Sequence, residues 1–200
     1  AGKIEKNIGN IVSRQEKHFE AEKYYLSAYR RFKKLKNDSE LTMCENGLAI
    51  TYSAINNFHK AENFYQKAIT REKKFEMLVT QAEIEASMGN LFLFRAKFNE
   101  ALNHLELSRQ KYEKLQMPHQ SAVAELEMAD AYLELNLVSE AFEIYERVAE
   151  SLAKLKMQGE EARARVNFAR AAINLQKNEL AKKQLELASQ LYKSEKNLAG

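Results

Sequence analysis

Apolar and small residues recur along the chain at spacings of three and four, and this pattern returns with a fixed period along the whole sequence. Residues with these spacings share one face of a helix, so each period is predicted to hold two amphipathic helices separated by a short break. The pattern is clearest where Ala129 and Tyr132 mark a first helix and Tyr145 marks a second. The most regular marker is one alanine per repeat, at Ala21, Ala61, Ala101, Ala141 and Ala181.

Five such repeats account for all 200 residues. They span 1–40, 41–80, 81–120, 121–160 and 161–200. The predicted helix pairs span 3–16 and 18–36, 40–56 and 58–75, 79–96 and 98–115, 119–136 and 138–156, and 159–176 and 178–195. Asn56 and Asn136 are expected near helix C-termini, whereas Asn99 and Ser139 are expected to cap the helices that follow. Pro118 is expected at a helix start.

The predicted fold is all-α, a solenoid of five antiparallel helix pairs that forms a single domain over residues 1–200. One proline and six glycines leave few helix breakers, and neighbouring pairs in such an array bury each other's apolar sides. The last helix keeps Leu180, Leu185, Leu191 and Tyr192 without a clearly polar outer face. We therefore expect the chain to be part of a longer array or to pair end to end with a second copy through this helix.

Charge and cysteine content limit the classes of partner. The net charge is only +3, from 31 basic and 28 acidic residues, and no basic cluster of the kind that reads phosphates is present, so nucleic acid is not the favoured partner. Cys44 is the only cysteine; it takes the place of Ile4, Ile84 and two alanines in the other repeats and is expected to be a buried, inert thiol. A signal peptide is not evident and the apolar run Leu91–Phe94 is too short to span a bilayer, so a cytoplasmic location is expected.

Catalytic chemistry is not predicted, because the reactive residues do not converge. His18, His59, His104 and His119 occupy four different positions of the repeat. Glu100 and His104 share a helical face, but two ligands without a third are poor evidence for a metal site. We predict no enzyme activity, no metal and no cofactor for these residues.

The repeat resembles the tetratricopeptide repeat. Met128-Ala129, Tyr132, Ala141 and Tyr145 carry the resemblance best, although the repeat length is 40 rather than the usual 34. Repeats of this longer form are similar to those in kinesin light chains, in bacterial regulators of the maltose-activator type, and in arrays that precede caspase-like CHAT peptidase domains; residues 133–176 look most like the last. The resemblance implies a right-handed superhelix whose first helices line a concave face that binds peptides or proteins.

Candidate partner-binding residues lie at positions that this arrangement turns toward the groove and that the core does not need. The tenth and seventh positions of the repeats supply several polar side chains, and an amide can pair with both the N–H and the C=O of a passing backbone. Lys6 and Asn10 also match the first pair of the carboxylate clamp of chaperone adaptors, but Gly47, Glu83 and Ser87 do not complete it, so chaperone C-termini are rejected as the main partner. The predicted partner-binding residues are Lys6, Asn7, Asn10, Arg14, Asn90, Phe94, Asp130, Asn167 and Arg170.

Two hypotheses for function remain open. The favoured one is a non-catalytic scaffold that binds a protein or peptide on the concave face. The alternative is a regulatory or sensor array that controls an attached effector domain, either a caspase-like peptidase or a transcription activator. For the polar candidates the competing interpretation is ordinary solvated helix surface, and for Phe94 it is packing against a neighbouring helix.

Overall fold

The computed structural model describes residues 1–72 and 78–198 of the chain. Every regular element within these ranges is an α-helix, which confirms the predicted all-α class. The helices are α1 (Gly2–Arg14), α2 (His18–Lys34), α3 (Asp38–Ala54), α4 (Phe58–Glu72), α5 (Leu78–Phe94), α6 (Phe98–Lys114), α7 (Pro118–Glu134), α8 (Val138–Lys154), α9 (Gln158–Asn174) and α10 (Asn178–Leu198). The starts of α2, α4, α6, α8 and α10 agree with the predicted starts to the residue.

A residue in the left-handed conformation follows the helices at two fixed positions of the repeat, one after the first helix and one after the second. After α1, Glu16 has φ 60°, its N–H donates to the carbonyl of Ser13, and the N–H of Lys17 donates to the carbonyl of Val12, each at 3.0 Å. This is a Schellman cap, which satisfies carbonyls that a helix end leaves without partners. The other left-handed residues in the described ranges are Lys36, Asn56, Ala96, Gln116, Asn136, Lys156 and Gln176.

The prediction of Asn56 and Asn136 at helix C-termini is confirmed, whereas the prediction of Asn99 and Ser139 as caps is wrong. Helix α6 begins at Phe98 and α8 at Val138, so both residues already lie inside a helix. The residue after the left-handed position caps both helices. The N–H of Leu137 donates to the carbonyl of Tyr132 at the end of α7, and the carbonyl of Leu137 accepts from the N–H of Ala141 at the start of α8. Pro118 is the first residue of α7, as predicted.

The repeating alanines lie in the core. Ala21, Ala61, Ala101, Ala141 and Ala181 are all buried, as their spacing predicted. Larger side chains fill the space beside them: Phe142 packs edge to face on Phe168 at 4.8 Å between ring centroids, and Tyr52 stacks on Phe64 at 5.6 Å. Small residues facing aromatic ones therefore let the helices approach closely.

The chain divides into two compact units, an N-terminal unit (Ala1–Leu91) and a C-terminal unit (Phe92–Gly200), and the division falls within α5. In the N-terminal unit α1 packs on α2, α2 on α3, and α3 on α4. In the C-terminal unit the same order runs from α6 to α10. Each unit is thus a linear stack in which α1 to α4, or α6 to α10, contact their neighbours in the chain.

Candidate partner-binding surface

The first helices of successive repeats form one face of each compact unit. In the C-terminal unit α7 contacts α9 directly, and in the N-terminal unit α1 contacts α3. Within the described part of the C-terminal unit, the second helices α6 and α8, and α8 and α10, are not in comparable contact. The helices are therefore closer on the first-helix side, so this side is the inside of the local curvature.

Asp130 is the centre of a polar network on this face of the C-terminal unit. Its Oδ1 accepts hydrogen bonds from the Tyr145 hydroxyl at 2.6 Å and from Asn167 Nδ2 at 2.8 Å. Its Oδ2 accepts from a terminal nitrogen of Arg163 at 2.8 Å. The network joins α7, α8 and α9, so the carboxylate holds side chains from two repeats in fixed positions. We call Asp130, Arg163 and Asn167, together with Glu134 and Arg170, the first-helix site.

Arg170 lies at the edge of the same network. One of its terminal nitrogens is 3.9 Å from Glu134 Oε1, and both side chains are more than half exposed. An exposed pair at this distance adds little stability, so both groups are accessible for exchange with a partner. The site therefore has a well-fixed centre at Asp130 and a loosely held ion pair beside it.

Burial and the neighbouring carboxylate together raise the pKa of the Tyr145 hydroxyl. The largest cause is burial, which disfavours the phenolate, and the charge of Asp130 acts in the same direction. Tyr145 therefore stays protonated and donates to Asp130. For Arg163, burial lowers the pKa, but the bond to Asp130 and its charge outweigh this effect and raise it.

The N-terminal unit repeats one element of this arrangement. The Tyr25 hydroxyl donates to Asn10 Oδ1 at 2.7 Å, and these residues occupy the same repeat positions as Tyr145 and Asp130. The Tyr25 ring lies against Gly9 and Gly47, where an added Cβ would approach the ring to within 3.0 Å. Gly47 is thus required by packing, which explains why repeat two has no polar side chain at this position.

The other candidates in the N-terminal unit differ in exposure. Lys6 is largely covered, and its Nζ lies 2.8 Å from Glu40 Oε2 and 3.1 Å from the sulfur of Met43. Its charge is therefore neutralised within the chain. Asn7 and Arg14 are exposed, and Asn90 is half-buried.

Phe94 is the most exposed of the large apolar side chains in the described residues, at 78%. Leu91 and Phe92, just before it in α5, are buried. The interpretation that one side chain of this apolar run points away from the core is thus confirmed, and the competing interpretation, packing of Phe94 against a neighbouring helix, is wrong. Binding of a partner to Phe94 stays a prediction.

Comparison with known proteins agrees with this architecture. Residues 2–74 match a family model described as a tetratricopeptide repeat. These residues therefore carry tetratricopeptide repeats. Its sequence matches none of the curated proteins.

Solved structures resemble the chain over nearly its whole length. BtubC (BKLC) from P. vanneervenii is 17% identical with a TM-score of 0.84, and the match covers 94% of this chain and 78% of that one. A STAND protein (signal transduction ATPase with numerous domains) with a tetratricopeptide repeat sensor, from Pyrococcus horikoshii, is 17% identical with a TM-score of 0.87; the match covers 98% of this chain and 30% of that one.

A third similar structure is a Rap protein complexed with competence and sporulation factor. It is 15% identical with a TM-score of 0.76, and the match covers 96% of this chain and 54% of that one. At these identities the similarities establish the fold of the chain, an all-α solenoid, and nothing about its partners. Repeats of this family are typical of protein–protein interaction and regulation.

The structure brings three of the predicted residues together and adds two that were not predicted. Asp130, Asn167 and Arg170 lie in the first-helix site, and the sequence pattern did not predict its other two members, Arg163 and Glu134. Arg163 occupies the third position of its repeat, where the other repeats have Lys3, Met43, Glu83 and Val123. A comparison restricted to the seventh and tenth positions could not find it, although an arginine four residues before Asn167 was a usable clue.

The array has little chemistry outside this site. In the described ranges, no group of three or more His, Cys, Asp or Glu side chains is placed to hold a metal ion. Cys44 is buried, as predicted, and burial raises the pKa of its thiol to about 12, so the nucleophilic thiolate is disfavoured. No helix in the same part of the chain is both long and apolar enough to cross a membrane.

Proposed function

We propose that the chain is a non-catalytic interaction module that binds a peptide or a protein segment along the first-helix face, and that it works in the cytoplasm. The observation that supports this most is the network around Asp130, which fixes polar side chains from two repeats on an accessible inner surface. Fixed donors lose less side-chain entropy on binding than mobile ones, so such a surface is preorganised.

The network also indicates which groups would contact the partner. Asp130 already accepts three hydrogen bonds, so its role is to position Arg163 and Asn167 rather than to bind directly. A guanidinium has five N–H donors, and the bond to Asp130 uses one nitrogen of Arg163, whose side chain is partly exposed. Arginines and amides together suit the carbonyl oxygens of an extended backbone, or a carboxylate side chain, of the partner.

Phe94 adds an apolar contact to this proposal. An aromatic side chain with most of its surface in water gains from burial against a partner, and aromatic residues frequently dominate the binding energy of interfaces. We propose a partner segment with an apolar residue for Phe94 and with acceptor groups for Arg163 and Arg170. Lys6 takes no direct part in this proposal, because it is paired with Glu40.

The first prediction tests the first-helix site. A random peptide library displayed on phage is selected against the immobilised chain, and the affinity of a selected peptide is measured by calorimetry. We expect Arg163→Ala to weaken binding roughly 10- to 100-fold, because one charge-assisted hydrogen bond contributes about 1.5–3 kcal/mol.

The matched control is Arg147→Ala. Arg147 is an exposed arginine on the second helix α8 of the same unit and pairs with Glu125 at 3.2 Å. Arg147→Ala should change the affinity for the peptide by no more than about twofold, since an exposed ion pair contributes little. Equal losses in both variants, or no loss in either, would contradict binding at the first-helix site.

The alternative function is a sensor array that regulates an attached effector domain, either a caspase-like peptidase or a transcription activator. The similarity to a STAND protein with a tetratricopeptide repeat sensor favours it. Fluorophores placed on Lys23 and Glu150, one in each compact unit, distinguish the two functions. A sensor predicts that a selected peptide changes the energy transfer between them, whereas a rigid scaffold predicts no change.

We also propose that the array associates with itself end to end through its last helix. Leu185 and Tyr192 of α10 are 44% and 42% exposed, and exposed apolar side chains favour contact with another helix. This association is separate from partner binding on the first-helix face.

A further inference from the structure

On the second-helix side of the C-terminal unit, α6 and α8 leave a groove between them. In the described part of this unit the two helices are not in comparable contact with each other, whereas both pack on α7. The groove has a volume of about 540 Å³, and residues of all three helices line it. They include Glu113 of α6, Ser121, Ala122 and Glu125 of α7, and Lys154 of α8. We call this space the α6–α8 groove.

Two polar side chains of α7, one helical turn apart, have unused hydrogen-bonding capacity in this groove. Ser121 is only 8% exposed, and its hydroxyl has no hydrogen-bond partner among the residues that the structure describes. Glu125 Oε2 accepts from Arg147 at 3.2 Å, but the Arg147 side chain is 60% exposed, so the pair is weakly held. Glu125 Oε1 is 3.7 Å from a terminal nitrogen of Arg109, which is beyond hydrogen-bond distance.

The corresponding place in the N-terminal unit is filled by an arginine of the chain itself. Arg71 of α4 donates from Nε to Glu45 Oε2 at 3.1 Å and from a terminal nitrogen to Glu45 Oε1 at 3.0 Å. The other terminal nitrogen of Arg71 donates to Asp38 Oδ1. Glu45 is completely buried. This place on the second-helix side therefore holds a planar guanidinium between two carboxylates.

Repeat four keeps the carboxylate of this pair and lacks the arginine. Glu125 occupies the repeat position of Glu45, whereas Ser151 occupies the repeat position of Arg71. Ser151 lines the α6–α8 groove, and its hydroxyl donates to the carbonyl of Arg147 within α8. A short side chain thus stands where a long cationic one reaches across in the N-terminal unit, and the groove stays open above Glu125.

The second acceptor of the arginine also has a substitute. Asp38 corresponds to Pro118, which has no polar side chain, but the Ser121 hydroxyl lies one turn further along α7. A hydroxyl oxygen can accept a hydrogen bond from a guanidinium. Ala122 and Leu155 supply apolar lining for the methylene groups of an arginine side chain. The groove therefore has a counterpart for each part of an arginine.

We infer that the α6–α8 groove binds an arginine side chain of a partner protein, with Glu125 as the bidentate acceptor and Ser121 as the second acceptor. A guanidinium matches a carboxylate with two parallel hydrogen bonds, whereas the ammonium of lysine is a point charge, so arginine is preferred to lysine. The bound arginine takes the place of Arg147 on Glu125. Lys154 is the exposed cation of the lining, so Lys154→Gln should strengthen binding. The groove lies on the second-helix side and goes beyond the function proposed for the first-helix site.

Substitution of Ser151 by arginine tests the site within the chain. Ser151→Arg places a guanidinium at the repeat position of Arg71, where it should bond to Glu125 and raise the midpoint of thermal unfolding by about 2–4 °C. The same substitution in a Glu125→Gln background should bring no gain, because a neutral amide cannot form the charged pair. A gain that does not depend on Glu125, or no gain in either background, would count against the site.

N-acetyl-arginine N-methylamide is the probe for binding from solution. Two-dimensional amide NMR spectra of the intact chain should show saturable shifts around Ser121, Glu125 and Ser151, and Ser151→Arg should abolish them by filling the groove. Glu125→Gln should weaken the affinity roughly tenfold or more, since it removes charge-assisted hydrogen bonds. The matched control is Glu146→Gln, an exposed carboxylate of α8 outside the groove lining, which should leave the affinity unchanged.

Three analogues of the probe decide the chemistry of the ligand. The capped lysine analogue should bind much more weakly, and the capped glutamate analogue should not shift these amides. Free arginine, with its charged amino and carboxylate groups, should bind no better than the capped form, because the proposed ligand is a residue within a protein. Equal binding of lysine, tighter binding of glutamate or tighter binding of free arginine would overturn the inference.

Arg163→Ala separates this inference from the proposed function. It should weaken binding of the selected peptide at the first-helix site and leave the shifts caused by the arginine probe unchanged. Glu125→Gln should do the reverse. Failure of one experiment therefore does not imply failure of the other.

Discussion

At the scale of single residues, tyrosines that lie between helices reach polar side chains on the first-helix face. Tyr145 and Tyr25 occupy one repeat position, and each donates to the side chain at the tenth position of its repeat. Both tyrosines are buried. Their hydroxyls, however, reach the first-helix face and donate to Asp130 and Asn10. The sequence analysis had predicted that both of these side chains bind a partner. Periodicity predicts which face a residue lies on, but it does not predict how far a long side chain reaches.

The second prediction is that the free energy of unfolding falls at alkaline pH, because the buried tyrosines and Cys44 are neutral in the folded chain. Burial is the main cause that raises the pKa of Tyr25, Tyr52 and Tyr65 from 10.0, and that of Cys44 from 9.0, in each case to about 12. A folded-state pKa above the unfolded value means that folding favours the neutral form. The stabilising contribution is complete below the unfolded values and is lost as the pH rises through about 12.

Urea unfolding at a series of pH values checks this expectation. The midpoint should stay level below pH 9 and fall between pH 9 and 12. Absorbance of tyrosinate at alkaline pH should rise in step with unfolding, since the buried hydroxyls ionise readily only in the unfolded chain. Tyr65→Phe should reduce the slope, because it removes one of the groups that titrate differently in the two states. A midpoint that does not change up to pH 12 would contradict the assignment.

At the scale of elements, the regular recurrence of left-handed residues explains both the successes and the errors of prediction. Second-helix starts were predicted to the residue, because the regular spacing of alanines fixes them. The predicted helix ends were mostly about two residues too long, as at 16 against Arg14, because the left-handed residue was included in the helix. Asn56 and Asn136 marked this position, but Ala96 and Lys156 have no sequence feature that reveals it.

The third prediction uses these turns. Gln116 adopts φ 54° between α6 and α7, and a non-glycine residue in this region costs about 1–3 kcal/mol. Gln116→Gly relieves that strain but adds flexibility to the unfolded chain, so we expect a net gain of about 0.5–1 kcal/mol in the free energy of unfolding. Thermal and urea unfolding would measure it.

Gln110→Gly is the matched control, because Gln110 is an exposed glutamine inside α6. The same change there should destabilise the protein by about 1 kcal/mol, the usual cost of glycine in a helix interior. Opposite signs at the two positions are the expected result. Destabilisation at both would show that the left-handed turn carries no relievable strain.

At the scale of the whole molecule, stability is expected to be local. In a stack where each helix contacts mainly its neighbours, the free energy of unfolding is approximately a sum over repeats and the contacts between them. Leu126 of α7 is completely buried in the core of the C-terminal unit. Leu126→Ala should cost about 2–5 kcal/mol through lost contacts and the cavity left behind.

The fourth prediction is that Leu126→Ala destabilises mainly the helices around it, and amide hydrogen exchange measures this helix by helix. Amides of α7, α8 and α9 should exchange much faster in Leu126→Ala, whereas amides of α1 and α2 should change little. Glu146→Ala, an exposed change on α8, serves as the control and should leave exchange unaltered. Uniform acceleration over the whole chain would mean that the two compact units unfold as one.

Because helix, turn and helix recur on a strict count, the array has a natural unit of growth. Removing or duplicating one whole repeat between two described turns at the same repeat position would leave each left-handed residue followed by the same repeat position as before. The new connection would therefore have the conformation of an existing turn. A shift of half a repeat would exchange first for second helices and place residues such as Asp130 on the second-helix side of their unit. Length can thus be adjusted in whole periods without redesigning a single joint, which makes the number of repeats an independently variable property of this architecture.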